Sequence, residues 1–149
     1  MQTKTRNSVG VIALGIAAIL LGACNNPWAD SSQSSEISAG RALYEQNCAS
    51  CHGIEGQGQP NWRSQDANGV FPAPPHTSDG HTWHHADQLL LEIIANGGAM
   101  PNSAMPGFGE QFTEDEVAAT LAYIKTFWGE EEREFQELVT NQSVGRLND

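Results

Sequence analysis

The sequence predicts an all-α chain, on three observations. Apolar residues recur at helical spacing in separate segments, helix start and stop signals bracket those segments, and no stretch of any length alternates apolar and polar residues as a half-buried strand would. About three main helices are expected, with loops between them. The first runs from about Ser38 to Asn47, with Ser35 or Ser38 as N-cap and Leu43 and Tyr44 on its apolar side. The second covers roughly Ala86 to Ala95, carries Leu89, Leu90, Ile93 and Ile94 on adjoining turns, and stops at Asn96-Gly97-Gly98, where glycine accepts a left-handed end. The third begins at Thr113-Glu114-Asp115-Glu116, a capping box with acids at the positive end of the helix dipole. It sets Val117, Leu121, Ile124 and Trp128 on one stripe.

The chain divides into four parts. Residues 1–23 read as a secretory signal: Lys4 and Arg6, then an apolar run from Val9 to Leu21, too short for the 18 or more residues of a spanning helix. Leu21-Gly22-Ala23-Cys24 also resembles the bacterial lipoprotein box, in which Cys24 becomes the lipidated first residue after cleavage. Residues 24–35 are polar and aperiodic and are expected to form a flexible tether. Residues 36–128 form one domain, small enough that a buried cofactor would form part of its core. Residues 129–149 open with Gly129-Glu130-Glu131-Glu132-Arg133-Glu134 and are expected to be a solvated, partly frayed acidic extension.

Chemistry concentrates at Cys48-Ala49-Ser50-Cys51-His52. A Cys-x-x-Cys-His run attaches one haem c covalently through two thioethers, with the histidine as an iron ligand. A zinc site would need a second ligand pair, and no cysteine remains to supply it once Cys24 is lipidated. Two methionines can be weighed for the other side of the iron, Met100 and Met105, each followed by proline. His76, His81, His84 and His85 cluster ahead of the second helix and are expected in structural or propionate-contacting roles. His81, His84 and His85 also raise the alternative of a copper or zinc module.

With a helix leading into Cys-x-x-Cys-His, a methionine-bearing loop and a terminal helix, residues 36–128 resemble the small single-haem c-type cytochromes of the His/Met type. That resemblance implies the cytochrome c fold, in which first and last helices cross. Gly40 and Tyr44 would then meet Tyr123 and Phe127. It also implies that Met105, in Met105-Pro106-Gly107-Phe108-Gly109, is the axial partner of His52. Gly53 to Gly58 would be the glycine-rich turn near the porphyrin, and Pro72 to Pro75 would supply a carbonyl to the proximal histidine. From their residue types alone, Trp62 and Arg63 are candidates to donate to a propionate, with packing for Trp62 and solvent for Arg63 as equal alternatives.

The function expected is one-electron transfer rather than catalysis, because two axial protein ligands leave no open position on the iron. A peroxidase-like or gas-binding haem is the enzyme or sensor alternative. Loss of residues 1–23 removes two of seven basic and none of eighteen acidic residues, taking the formal charge from −11 to −13. Such a surface argues against nucleic acid. It favours redox donors and acceptors with basic docking patches, in an oxidase or dehydrogenase complex. Export places the protein in the periplasm or on the extracytoplasmic face of a bacterial membrane, anchored by lipid.

Overall fold

The computed structural model describes residues 27–98 and 100–147. The signal segment and Cys24 lie outside the described residues. Five helices account for the regular structure among the described residues: α1 (Pro27–Asn47), α2 (Ala49–His52), α3 (Asp87–Asn96), α4 (Glu114–Ile124) and α5 (Glu130–Leu147). Single 3-10 turns occupy Thr82–His84 and Lys125–Phe127. The all-α expectation holds, and among the described residues a lone bridge between Phe71 and Ser103 is the β-type pairing present.

The crossing of α1 and α4 organises the core. Gly40 lies against the backbone of Ala119: a β-carbon built on it would stand 1.8 Å from the Ala119 oxygen, so only glycine permits this approach. One turn on, Tyr44 is fully buried, its ring edge-on to Tyr123 at 5.3 Å and tilted against Phe127 at 5.5 Å. The expected crossing with the helix that carries Tyr123 is therefore present, with Tyr44 on Tyr123 and Phe127 as foreseen and Gly40 on Ala119 instead. The Tyr44 hydroxyl donates to the Gly53 carbonyl at 3.0 Å, tying α1 to the turn that follows α2.

Helix α4 starts as its sequence dictates. The Thr113 hydroxyl accepts from the Glu116 amide at 3.3 Å while the Glu116 carboxylate accepts from the Thr113 amide at 2.8 Å, satisfying two of the orphan donors of a helix start. Val117, Leu121, Ile124 and Trp128 are buried. In α3, Leu90 and Ile94 are buried, whereas Leu89 is exposed. The chain leaves α3 at Gly97, whose φ of +93° ends the helix.

Two expectations are corrected. Helix α1 begins at Pro27, so most of the stretch read as a flexible tether is helical. Proline is tolerated in a first helical turn, and once the Gly40–Tyr44 region is packed each further turn adds without a new nucleus. The acidic extension is also no frayed tail: Glu130–Leu147 is one helix. Its three leading glutamates suit the positive end of the dipole. Its buried contact is a polar one, Gln136 at 3% exposure, which no apolar periodicity could reveal.

Candidate functional site: a covalent haem pocket

Helix α2 carries the Cys-x-x-Cys-His motif directly off the end of α1, with the Cys48 amide still bonded to the Tyr44 carbonyl at 2.9 Å. Cys48 is buried and Cys51 exposed, and no disulfide joins them. Burial pushes the Cys48 thiol up to about 11, so the unmodified group is a neutral thiol rather than a thiolate at neutral pH.

His52 is buried and oriented. Its Nδ1 lies 2.9 Å from the carbonyl oxygen of Pro74. A carbonyl only accepts, so Nδ1 carries the proton and Nε2 keeps its lone pair. Burial lowers the His52 pKa, which the bond to Pro74 partly offsets, and the ring stays neutral and ready to ligate. The carbonyl foreseen from the proline stretch is thus supplied by Pro74. The glycine turn lets this happen: Gly58, at φ +67°, passes so near the strand of prolines that a β-carbon would lie 2.5 Å from the Pro75 nitrogen.

Of the two methionines, Met105 packs partly buried against the core, while Met100 is 58% exposed. The Met105 loop is stapled to the end of α3. The Met105 carbonyl accepts from the Gly98 amide at 3.1 Å, and the Phe108 and Gly109 amides donate to Ile94 and Ala95 at 3.0 and 2.9 Å.

The histidines divide. His76 is buried and stacks on His52, ring centroids 4.1 Å apart and 22° between planes. Its Nδ1–H donates to the Thr82 hydroxyl at 3.3 Å, which donates onward to the Pro75 carbonyl at 3.5 Å. His81 stacks on Trp62 with centroids 5.5 Å apart, and His84 turns to Trp83 and Phe135. Among the described residues no group of three or more histidine, cysteine or acidic side chains could hold a metal ion, which corrects the His81/His84/His85 copper or zinc alternative. His81 meets His85 edge-on at 5.5 Å between ring centroids, while His84 packs on Trp83 at 3.8 Å. Arg63 lies over Trp62 at 4.0 Å and donates to the Asp79 carbonyl at 3.2 Å.

Sequence reasoning missed Trp83. Its indole Nε1 is buried with no hydrogen-bond partner among the described residues, and its ring packs against the core. An orphaned buried donor normally costs about 1–3 kcal/mol. A haem, with its edge carboxylates, is a group that supplies an acceptor. The visible signal was an indole in a polar, histidine-rich turn just ahead of a helix.

Paired thiols on one short helix, a neutral imidazole with its lone pair free, a methionine loop pinned to a helix end and an orphaned indole together fit haem. The fold and this donor set define a covalent haem-binding domain built for electron transfer. The protein-family model for Cytochrome c matches residues 37–128, and the chain belongs to that family. It therefore carries haem c and transfers electrons. It is 31% identical over 97 residues to the Cbb3-type cytochrome c oxidase subunit FixP of Sinorhizobium medicae (strain WSM419), covering 59% of this chain and 29% of that protein. It is 27% identical over 117 residues to the cytochrome c subunit of the quinone alcohol dehydrogenase of Gluconacetobacter polyoxogenes, covering 74% of this chain and 22% of that one. It is 21% identical over 89 residues to cytochrome c6 of Diacronema lutheri, covering 60% of this chain and 93% of that one. The chain thus spans less than a third of the oxidase and dehydrogenase subunits it matches.

Proposed function

We propose that this protein is an exported, lipid-anchored electron carrier in which Cys48 and Cys51 hold haem c through thioethers, His52 and Met105 ligate the iron, and no substrate is turned over. The chemistry supplied by the bound haem is one-electron exchange between ferric and ferrous iron. The chain's residues tune that exchange. Pro74 fixes the His52 tautomer and raises its basicity. The thioether of Met105, soft and neutral, favours the ferrous state relative to a second imidazole. Trp83 donates to a propionate and so offsets its charge.

The observation that carries this reading is the His52–Pro74 bond, because it leaves an imidazole with one purpose for its remaining nitrogen. Lipidation of Cys24 anchors the protein outside the cytoplasm. No helix among the described residues is long and apolar enough to cross a membrane. The donor and acceptor are redox proteins with basic surfaces, in an oxidase or dehydrogenase complex; the oxidase and dehydrogenase subunits among the relatives support this. Optical spectra of the haem-loaded protein test the reading. A weak long-wavelength band in the ferric state, reporting methionine sulfur, together with a ferrous spectrum indifferent to carbon monoxide, is expected. Absence of the band with ready carbon monoxide binding would transfer the assignment to a gas-binding or peroxidase-like haem.

A further inference from the structure

Helix α5 lies outside the residues that match the family, yet it rests on the segment that carries Trp83. The contact is specific. Gln136, 3% exposed, directs its side-chain amide at the His85 carbonyl at 3.1 Å, the Asp87 carboxylate and the Thr140 hydroxyl at 3.0 Å. The same Thr140 oxygen accepts from the Asp87 backbone amide at 3.1 Å, so α5 grips the junction between the Thr82–His84 turn and α3 on both sides. One residue earlier, Phe135 sets its ring against Trp83 at 5.6 Å and 86°, and against His84 at 5.7 Å.

We propose that α5 is a positioning element of the haem pocket: Gln136 pins the backbone at His85–Asp87 and Phe135 fixes the plane of the Trp83 indole, holding its Nε1–H toward a haem carboxylate. This rests on the assignment of Trp83 as a donor made above. The argument is one of freedom removed. An indole turns about two side-chain torsions, and the second is broad, so its plane is set by what packs against it. Here an edge-on aromatic packs against it, and its backbone is anchored one turn further along. A hydrogen bond to a carboxylate spreads that group's negative charge. Without the bond, more negative charge bears on the iron, the ferric state is favoured, and the reduction potential falls.

The test uses the full-length, haem-loaded protein and two readouts: the midpoint potential by voltammetry, and the exchange rate of the Trp83 indole proton by nuclear magnetic resonance in the reduced state. Trp83→Phe should lower the potential. Gln136→Ala and Phe135→Leu should lower it in the same direction by less, and should speed indole exchange about tenfold or more. Leu138→Ala, at a residue on the same helix that is 60% exposed, should change neither. Gln136→Ala should add no further shift in the Trp83→Phe background, because residues acting through one another are not additive.

If Trp83→Phe lowers the potential while both α5 variants leave potential and exchange unchanged, the donor assignment stands and the role of α5 is overturned. If Trp83→Phe leaves the potential unchanged, the donor assignment fails and takes the proposal with it. A Gln136→Ala shift that persists in full without Trp83 also overturns it, since α5 then acts by general packing. Phe135 is partly exposed, so Phe135→Leu keeps the test decisive if Gln136→Ala does not fold.

Discussion

A methyl group on Gly40 would stand 1.8 Å from the carbonyl oxygen of Ala119 and 2.4 Å from its carbon, both backbone atoms of the facing helix. In an exposed helix, glycine to alanine stabilises by roughly 0.5–1 kcal/mol. At Gly40 the sign reverses, because α1 and α4 must separate to admit the methyl, loosening the packing of Tyr44 on Tyr123 and Phe127. Gly40→Ala should destabilise by about 3 kcal/mol or more, the upper end for overpacking. Gly145→Ala, where nothing lies within 4 Å, should be neutral or stabilising by up to about 1 kcal/mol. Denaturant unfolding of both variants decides it, and a Gly40→Ala protein as stable as the parent would remove the close crossing.

Much of this was legible in the sequence because the chemistry fixes local spacing. Cys48, Cys51 and His52 declare themselves by their separation, and Thr113 with Glu116 announces the start of α4. What was not legible lies where a long-range contact makes the structure. The first half of α1 has no apolar stripe and is helical because its other half is packed. Helix α5 buries Gln136, which reads as solvent-facing until His85 and Asp87 are placed beside it. Trp83 becomes conspicuous only when burial shows its donor unpaired.

Replacing each methionine separates the two candidates. Met105 sits in a loop bonded to α3 and packs on the core, whereas Met100 is mostly exposed. Met105→Ala should abolish the long-wavelength ferric band, open the ferrous protein to carbon monoxide and lower the reduction potential. Met100→Ala should leave all three unchanged. The reverse pattern would move the ligand to Met100.

Acid should weaken the fold through the histidine turn. Partial burial lowers the pKa of His81, and neighbouring His85, His84 and Arg63 lower it further; burial and then His84 lower that of His85. A group that is harder to protonate folded than unfolded stabilises the fold fully above its unfolded pKa, about 6.5 for histidine. That contribution is lost as pH falls below this value toward the folded pKa. Stability measured by denaturant should therefore be flat between about pH 7 and 8 and fall from about pH 6.5 downward. The double variant His81→Asn/His85→Asn should fall less steeply, with buried His76, whose pKa burial also lowers, contributing to the remaining slope. An unchanged slope in the double variant would exclude the turn as a source of acid sensitivity.

Asp87 and Lys125 form an ion pair at 2.6 Å, but the two partners should not be equivalent. Lys125 makes this one charged contact from a partly exposed position, so Lys125→Met should cost about 0.5–1 kcal/mol, less in molar salt as screening grows. Asp87 accepts from Lys125 and from the buried amide of Gln136, and it is the acid of the first turn of α3, where a negative charge favours the dipole. Asp87→Ala removes all three and leaves the amide with one acceptor fewer in a buried site. It should cost about 2 kcal/mol, most of it insensitive to salt. A double-mutant cycle between the two positions isolates the ion pair itself, with an expected coupling below about 1 kcal/mol. Equal, salt-sensitive losses in the two single variants would mean that Asp87 acts through Lys125 alone and that its bond to α5 contributes nothing.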